Sequence, residues 1–125
     1  MMDDGAPSLG LHHVALRVAD CETSRSFYAG LLGLAETRRS QGPNGLASVW
    51  LQTGGVILML EQRLRGSGAE SGSGHLLSFA VDDLTKWEER LAATGVAIED
   101  RTAHTLYLRD PDGHRVGLTT YGYTR

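Results

Sequence analysis

Two stretches of this chain follow the same pattern, and that repeat constrains the fold more than any other feature. Residues 11–20 read LHHVALRVAD, and residues 76–83 read LLSFAVDD. Each is an alternating run that ends on aspartate. Alternation places successive side chains on opposite faces of a strand, and Asp20 in the first run and Asp82 or Asp83 in the second are good N-caps for a following helix. In the first run Val14, Leu16 and Val18 form an apolar row, while His13, Ala15 and Arg17 form the other row. In the second, Leu77, Phe79 and Val81 form the apolar row, and Leu76, Ser78 and Ala80 oppose it. Each apolar row requires a helix against it, which leaves the other rows to line a shared cavity.

Taken in order, residues 1–9 read as a loose tail and 11–18 as a strand. A helix over 21–32 follows, with Ser24, Phe27, Tyr28 and Leu31 on one face. Gly33 sits where a left-handed residue ends a helix. Residues 34–39 read as a short strand, 40–45 (SQGPNG) as a loop, 46–52 as a strand, and 56–61 as another after a Thr53-Gly54-Gly55 turn. Residues 62–74 are rich in glycine and serine and read as a linker. The pattern then repeats. It gives a strand at 76–81, a helix with Leu84, Trp87 and Leu91 inward and Gly95 at its end, and strands at 96–100, 105–109 and 115–120. Asp110-Pro111-Asp112-Gly113 supplies a tight turn between the last two.

The predicted fold class is therefore α+β. Two βαβββ modules, about 10–61 and 75–121, form a cup-shaped mixed sheet with helices on the outer face. At 125 residues this is one domain, and 41% hydrophobic content supports a normal core. A net charge of -3 argues against a nucleic-acid partner, which requires a basic face. No apolar run is long enough for a membrane span, and the N-terminus lacks the apolar segment of a signal peptide. A single cysteine, Cys21, excludes an intrachain disulfide. These features together predict a soluble cytoplasmic protein with neither a nucleic-acid nor a membrane partner.

The residues HVALRVAD from His13, SFY from Ser26 with LGL from Leu32, FAVDDL from Phe79, and YLRDPDGH from Tyr107 resemble the vicinal oxygen chelate superfamily. That group includes glyoxalase I, extradiol dioxygenases, methylmalonyl-CoA epimerase, fosfomycin-resistance enzymes and bleomycin-resistance proteins. The resemblance covers about residues 10–121 and implies a homodimer. It also implies four inward metal-ligand positions, a His early in the first strand of each module and typically a Glu in the last. Here those positions fall on His13, Met59, Leu76 and Gly117. A catalytic divalent site needs about three protein ligands and an open position, so no metal cofactor is the favoured expectation. The alternative is a single divalent ion (Zn, Ni, Mn or Fe) on relocated ligands. Glu61 would take part from one pleat beyond Met59, and His75 would join if a bulge turned it inward.

The residues themselves offer several chemistries. His13 could hydrogen-bond a neighbour, contact a ligand, move a proton or bind metal. Arg17 could pair with a ligand anion or with Glu61. By parity Thr105 and Tyr107 face the cup, as do Ser48 and Trp50 in the first module. Trp50, Met59 and Tyr107 would then give a lining suited to a planar or hydrophobic ligand. Cys21 reads as a small core residue, and the two carboxylates of the DPDG turn as structural. The expected ligand-binding set is His13, Arg17, Ser48, Trp50, Met59, Glu61, Ser78, Thr105 and Tyr107.

Three functions follow. The first is metal-independent capture of a small, partly hydrophobic molecule, as the resemblance to bleomycin-resistance proteins implies. The second is a metal-dependent lyase, isomerase or dioxygenase using His13, Glu61 and His75. The third is a metal-free enzyme with His13 as acid or base and Arg17 and Tyr107 binding the developing anion. Whether this is an enzyme is left open by the residues.

Overall fold

The computed structural model describes residues 7–64 and 74–121. Most of the expected tail and most of the expected linker lie outside these residues. The chain divides into two compact units, with the boundary between Gly66 and Ser67.

In the first unit, β1 (His13–Arg17) leads into α1 (Cys21–Arg25), followed by β2 (Ala35–Gly42), β3 (Gly45–Thr53) and β4 (Val56–Glu61). The strands lie in the order β1-β4-β3-β2, with β1 parallel to β4 and the other pairs antiparallel. Asp20 caps α1 as expected. Its carboxylate accepts from the Glu22 backbone N–H and, at 2.7 Å, from the Thr23 hydroxyl. The helix does not run regularly to residue 32. From Ser26 to Leu31 it widens to π geometry, and the Leu32 N–H donates to the Phe27 carbonyl five residues back. The wider turn changes which side chains stack. Ser24, Phe27 and Tyr28 are buried, whereas Leu31 is only half-buried. Gly33 has φ +82, as a left-handed terminator requires.

The apolar row expected on the helix side is present. Leu16, Val49, Leu51, Leu58 and Leu60 are buried on one face of this sheet. Each fully buried aliphatic side chain contributes about 1.5–3 kcal/mol. β2 is longer than the expected strand at 34–39. It continues through most of the expected loop, and only Pro43 and Asn44 turn the chain. Gly42 and Gly45 pair across that turn, and Gly45 takes φ +108. Extending the strand satisfies backbone groups that a six-residue loop would leave to water.

The second unit repeats the plan with β5 (Leu77–Ala80), α2 (Leu84–Thr94), β6 (Asp100–Arg101), β7 (Thr105–Arg109) and β8 (Arg115–Thr119). Its order is β5-β8-β7-β6, with β5 parallel to β8. Asp83 caps α2 by accepting from the Thr85 and Lys86 N–H groups, and Gly95 closes it at φ +76. Leu106, Leu108, Val116 and Leu118 are buried on the helix side. Of the three residues expected to face inward from α2, only Leu91 is fully buried; Leu84 and Trp87 are half-buried. The strand expected at 96–100 begins only at Asp100. Each four-stranded sheet with its helix is an α+β unit of the expected βαβββ order.

Asp110 is buried and accepts from the Asp112 and His114 N–H groups at 2.9 and 2.8 Å. The DPDG carboxylate at the first position is therefore part of the turn's architecture. Among the described residues no helix is long and apolar enough to cross a membrane.

Candidate functional site

The register of the first sheet arranges its open face as rows. Arg38 lies opposite Trp50, Trp50 opposite Met59, and Met59 opposite Ala15. In the next row Ser40 lies opposite Ser48, Ser48 opposite Glu61, and Glu61 opposite Arg17. Rows two residues apart along a strand are separated by roughly 6.5–7 Å. An aromatic and thioether row thus runs beside a polar row carrying a carboxylate.

These rows form a concavity of about 420 Å³. Ser48, Trp50, Met59 and Glu61 line it from β3 and β4, and Arg38, Arg39 and Ser40 from β2. The Ser48 hydroxyl donates to Glu61 Oε2 at 2.6 Å. The Arg38 guanidinium lies 5.0 Å from the centroid of the Trp50 ring, in cation–π range. Arg39 is engaged by Glu36 through two hydrogen bonds. That contact holds the Glu36 carboxyl below the usual carboxylate range and raises the Arg39 guanidinium.

Four of the expected site residues, Ser48, Trp50, Met59 and Glu61, are therefore brought together. Arg17 is opposite Glu61 in register, and its guanidinium donates to the Leu64 carbonyl. His13 is exposed and pairs with Ile57, four residues from the Arg17–Glu61 pair and so about 13 Å along the strands. Its ring is 2.9 Å from the His12 ring, Nδ1 to Nδ1.

Sequence reasoning missed Arg38, Arg39 and Ser40. β2 carries register shifts between Glu36 and Arg38 and between Ser40 and Gln41, and such irregularities rephase a strand. Simple alternation from residue 34 cannot place these side chains. The available signal was Arg-Arg-Ser next to a turn motif, which reads equally well as a solvated edge.

Ser78, Thr105 and Tyr107 belong to the second unit. Ser78 and Tyr107 both flank Gly117 in register. The Arg115 guanidinium lies 4.3 Å from the Tyr107 ring centroid. Thr105 is buried, and its hydroxyl donates to the Thr119 hydroxyl at 2.9 Å.

The family model of the Glyoxalase/Bleomycin resistance protein/Dioxygenase superfamily matches residues 10–118. This chain belongs to that superfamily. A curated relative, "Metallothiol transferase FosB" of Bacillus licheniformis, is 30% identical over 124 residues, covering 90% of this chain and 75% of that protein. Solved structures share the fold. A lactoylglutathione lyase from Agrobacterium tumefaciens is 21% identical, with a TM-score of 0.70 over 94% of this chain and 100% of that one. TnmS3, an antibiotic binding protein from Streptomyces sp. CB03234, is 24% identical, with a TM-score of 0.70 over 92% of this chain and 98% of that one.

The name of the Bacillus licheniformis relative includes a metal, so the donor set of this member is compared with what a metal site requires. His13 and Glu61 are too far apart along the strands to share an ion, and Glu61 is bonded to Ser48. His75 Nε2 lies 3.1 Å from His114 Nδ1, its neighbour within the second unit. Met59 is a soft donor, and Leu76 has none. At Gly117 even a Cβ would come within 3.1 Å of Ser78 Oγ. Among the described residues no three His, Cys, Asp or Glu side chains are grouped as a metal site requires. Of the four positions that the resemblance marks as ligands, His13 alone carries one of the superfamily's usual donors.

Proposed function

We propose that this protein binds a small, partly hydrophobic molecule in the concavity of its first sheet, without a metal. The observation that carries this reading is the Trp50–Met59 row lying beside the Ser48–Glu61 row in one cavity of about 420 Å³. That volume is in the range of drug-sized ligand sites, which combine an apolar lining with a few placed polar groups. An indole face and a thioether attract planar or polarisable surfaces, and a carboxylate with its serine fixes orientation. The same reading takes the chain as cytoplasmic, as its composition suggests, and as a homodimer, as the superfamily resemblance implies.

A second reading is favoured by the relative named as a metallothiol transferase. It takes this chain as a metal-dependent enzyme with relocated ligands. One experiment separates the two. Protein purified without tag or chelator is assayed for bound metal, titrated with Zn²⁺, Ni²⁺, Mn²⁺ and Fe²⁺ while its melting is followed, and then titrated with a planar aromatic probe. The expected result is no stoichiometric metal, no thermal shift with metal, and probe binding that is lost in Trp50→Ala. Stoichiometric metal that disappears on His13→Ala or Glu61→Gln would overturn the proposal in favour of the enzyme.

A further inference from the structure

We infer that the pocket of the first sheet selects planar ligands carrying a cationic nitrogen donor, with Glu61 as the specificity-determining residue. The inference rests on the ligand-binding reading above and adds the chemical class of the ligand.

The charges in the pocket differ in whether they already have a partner. Three charged residues line it, two arginines and one glutamate. Arg39 is held by Glu36 in a close, two-bonded ion pair, so its charge is already matched. Arg38 is exposed and lies over the Trp50 ring. Water solvates such a guanidinium well, and an approaching anion there would be screened.

Glu61 is different. It is half-buried, its hydrogen-bond partner is the neutral Ser48 hydroxyl, and it takes part in no ion pair among the described residues, Arg17 opposite it in register donating instead to the Leu64 carbonyl. Ser48 occupies Oε2, which leaves Oε1 to accept. A carboxylate can accept several hydrogen bonds, and charge-assisted bonds are the stronger kind. The ligand group that complements this vacancy is therefore an N–H donor with positive charge.

The rows fix where the rest of such a ligand lies. Trp50 and Met59 are one pleat from Ser48 and Glu61 on the same strands, roughly 6.5–7 Å away. A ring resting on Trp50 and Met59 thus places a short aminoalkyl arm, or a ring amidine, against Glu61. To stack on the indole, the ring shares or displaces Arg38. That exposed cation–π contact is weak and easily exchanged. An anionic ligand would have to place its charge next to Glu61 or abandon the apolar row.

The test uses three probes on one anthracene ring, bearing an aminomethyl, a hydroxymethyl or a carboxylate group at the central position. Each is titrated calorimetrically into the full chain, into Glu61→Gln and into Trp50→Ala. The expected order is ammonium tightest, by about ten-fold over the alcohol, with the carboxylate weakest. Glu61→Gln should erase the ammonium advantage over the alcohol. Equal binding of all three probes, with loss in Trp50→Ala, would overturn the charge inference and leave ligand binding standing. Tightest binding of the carboxylate would do the same and assign the selectivity to Arg38. If no probe binds, or if binding ignores Trp50→Ala, the ligand-binding reading itself falls, and this inference with it.

Discussion

Ser48 donates its hydroxyl to Glu61 across the β3–β4 ladder at 2.6 Å. The two residues are directly opposed in register, so the bond is fixed by backbone pairing rather than by a flexible reach. It presents a carboxylate at a set height beside the Trp50–Met59 row, and the ligand chemistry proposed for the pocket depends on that placement.

Ser48→Ala removes this donor and leaves Glu61 to water. Because the site is only half-buried, the expected cost in stability is no more than about 1 kcal/mol. Urea unfolding measures it. Ammonium-probe affinity should be retained, since the carboxylate remains and gains accepting capacity. Loss of probe binding in a stably folded Ser48→Ala variant would show that Ser48, rather than the free carboxylate oxygen, organises the site.

Asp110 is the polar anchor of the second unit. It is buried and accepts from two backbone N–H groups of its own turn. Asp110→Ala leaves both donors without their acceptor and should cost about 1–3 kcal/mol. The change should appear as a lower urea midpoint with an unaltered slope. A variant as stable as the parent would show that the turn holds without its carboxylate.

The acid response follows from Glu99. The Arg109 side chain, hydrogen-bonded to it, holds its carboxyl below the usual carboxylate range, and Arg115 adds to the effect. A carboxyl depressed in the folded state stabilises above its unfolded pKa, and that contribution is lost as pH falls through the folded value. Stability should therefore decline below the ordinary carboxylate range. Glu99→Gln should flatten that limb while leaving any alkaline change untouched. Because the pair is exposed, added salt should shrink the difference between the two proteins. Unfolding midpoints across pH, at low and high salt, check both points.

Gly95 ends α2 in the left-handed region, with open space where a Cβ would stand. Only the backbone conformation opposes a side chain there, so Gly95→Ala should destabilise by about 1–2 kcal/mol. Asparagine, which tolerates this conformation better, should cost less. Thermal melting of the two variants ranks them, and a reversed order would locate the strain elsewhere.

Much of the architecture was legible before any coordinates. Alternation in residues 11–20 named a row whose Leu16 and Val18 are buried, because a strand buried on one face must segregate its side chains, whereas Leu77, Phe79 and Val81 of the second row are only half-buried. Asp20, the Asp82-Asp83 pair, Gly33 and Gly95 marked helix ends because capping is local chemistry between neighbours, and the structure chose Asp83 of the pair. The DPDG turn was readable for the same reason. Ser48, Trp50, Met59 and Glu61 were placed on one face by parity and the internal repeat.

What the sequence by itself determined, then, were features governed by near neighbours: strand and helix order, helix caps, the Thr53-Gly54-Gly55 and DPDG turns, and the parity of β1, β3, β4 and β7. Only the tertiary structure decided how those strands register against one another. Register places Glu61 beside Ser48 and Arg17, and leaves His13 beside Ile57, about 13 Å away. Register shifts in β2 turn Arg38 and Ser40 onto the pocket face, where parity could not follow them. The π geometry after Arg25 takes Leu31 off the buried face. The physical reason is common to all three. A register, a bulge or a widened helical turn is set by hydrogen bonds and packing between segments distant in the chain. The energy that chooses among them is not written in any one segment.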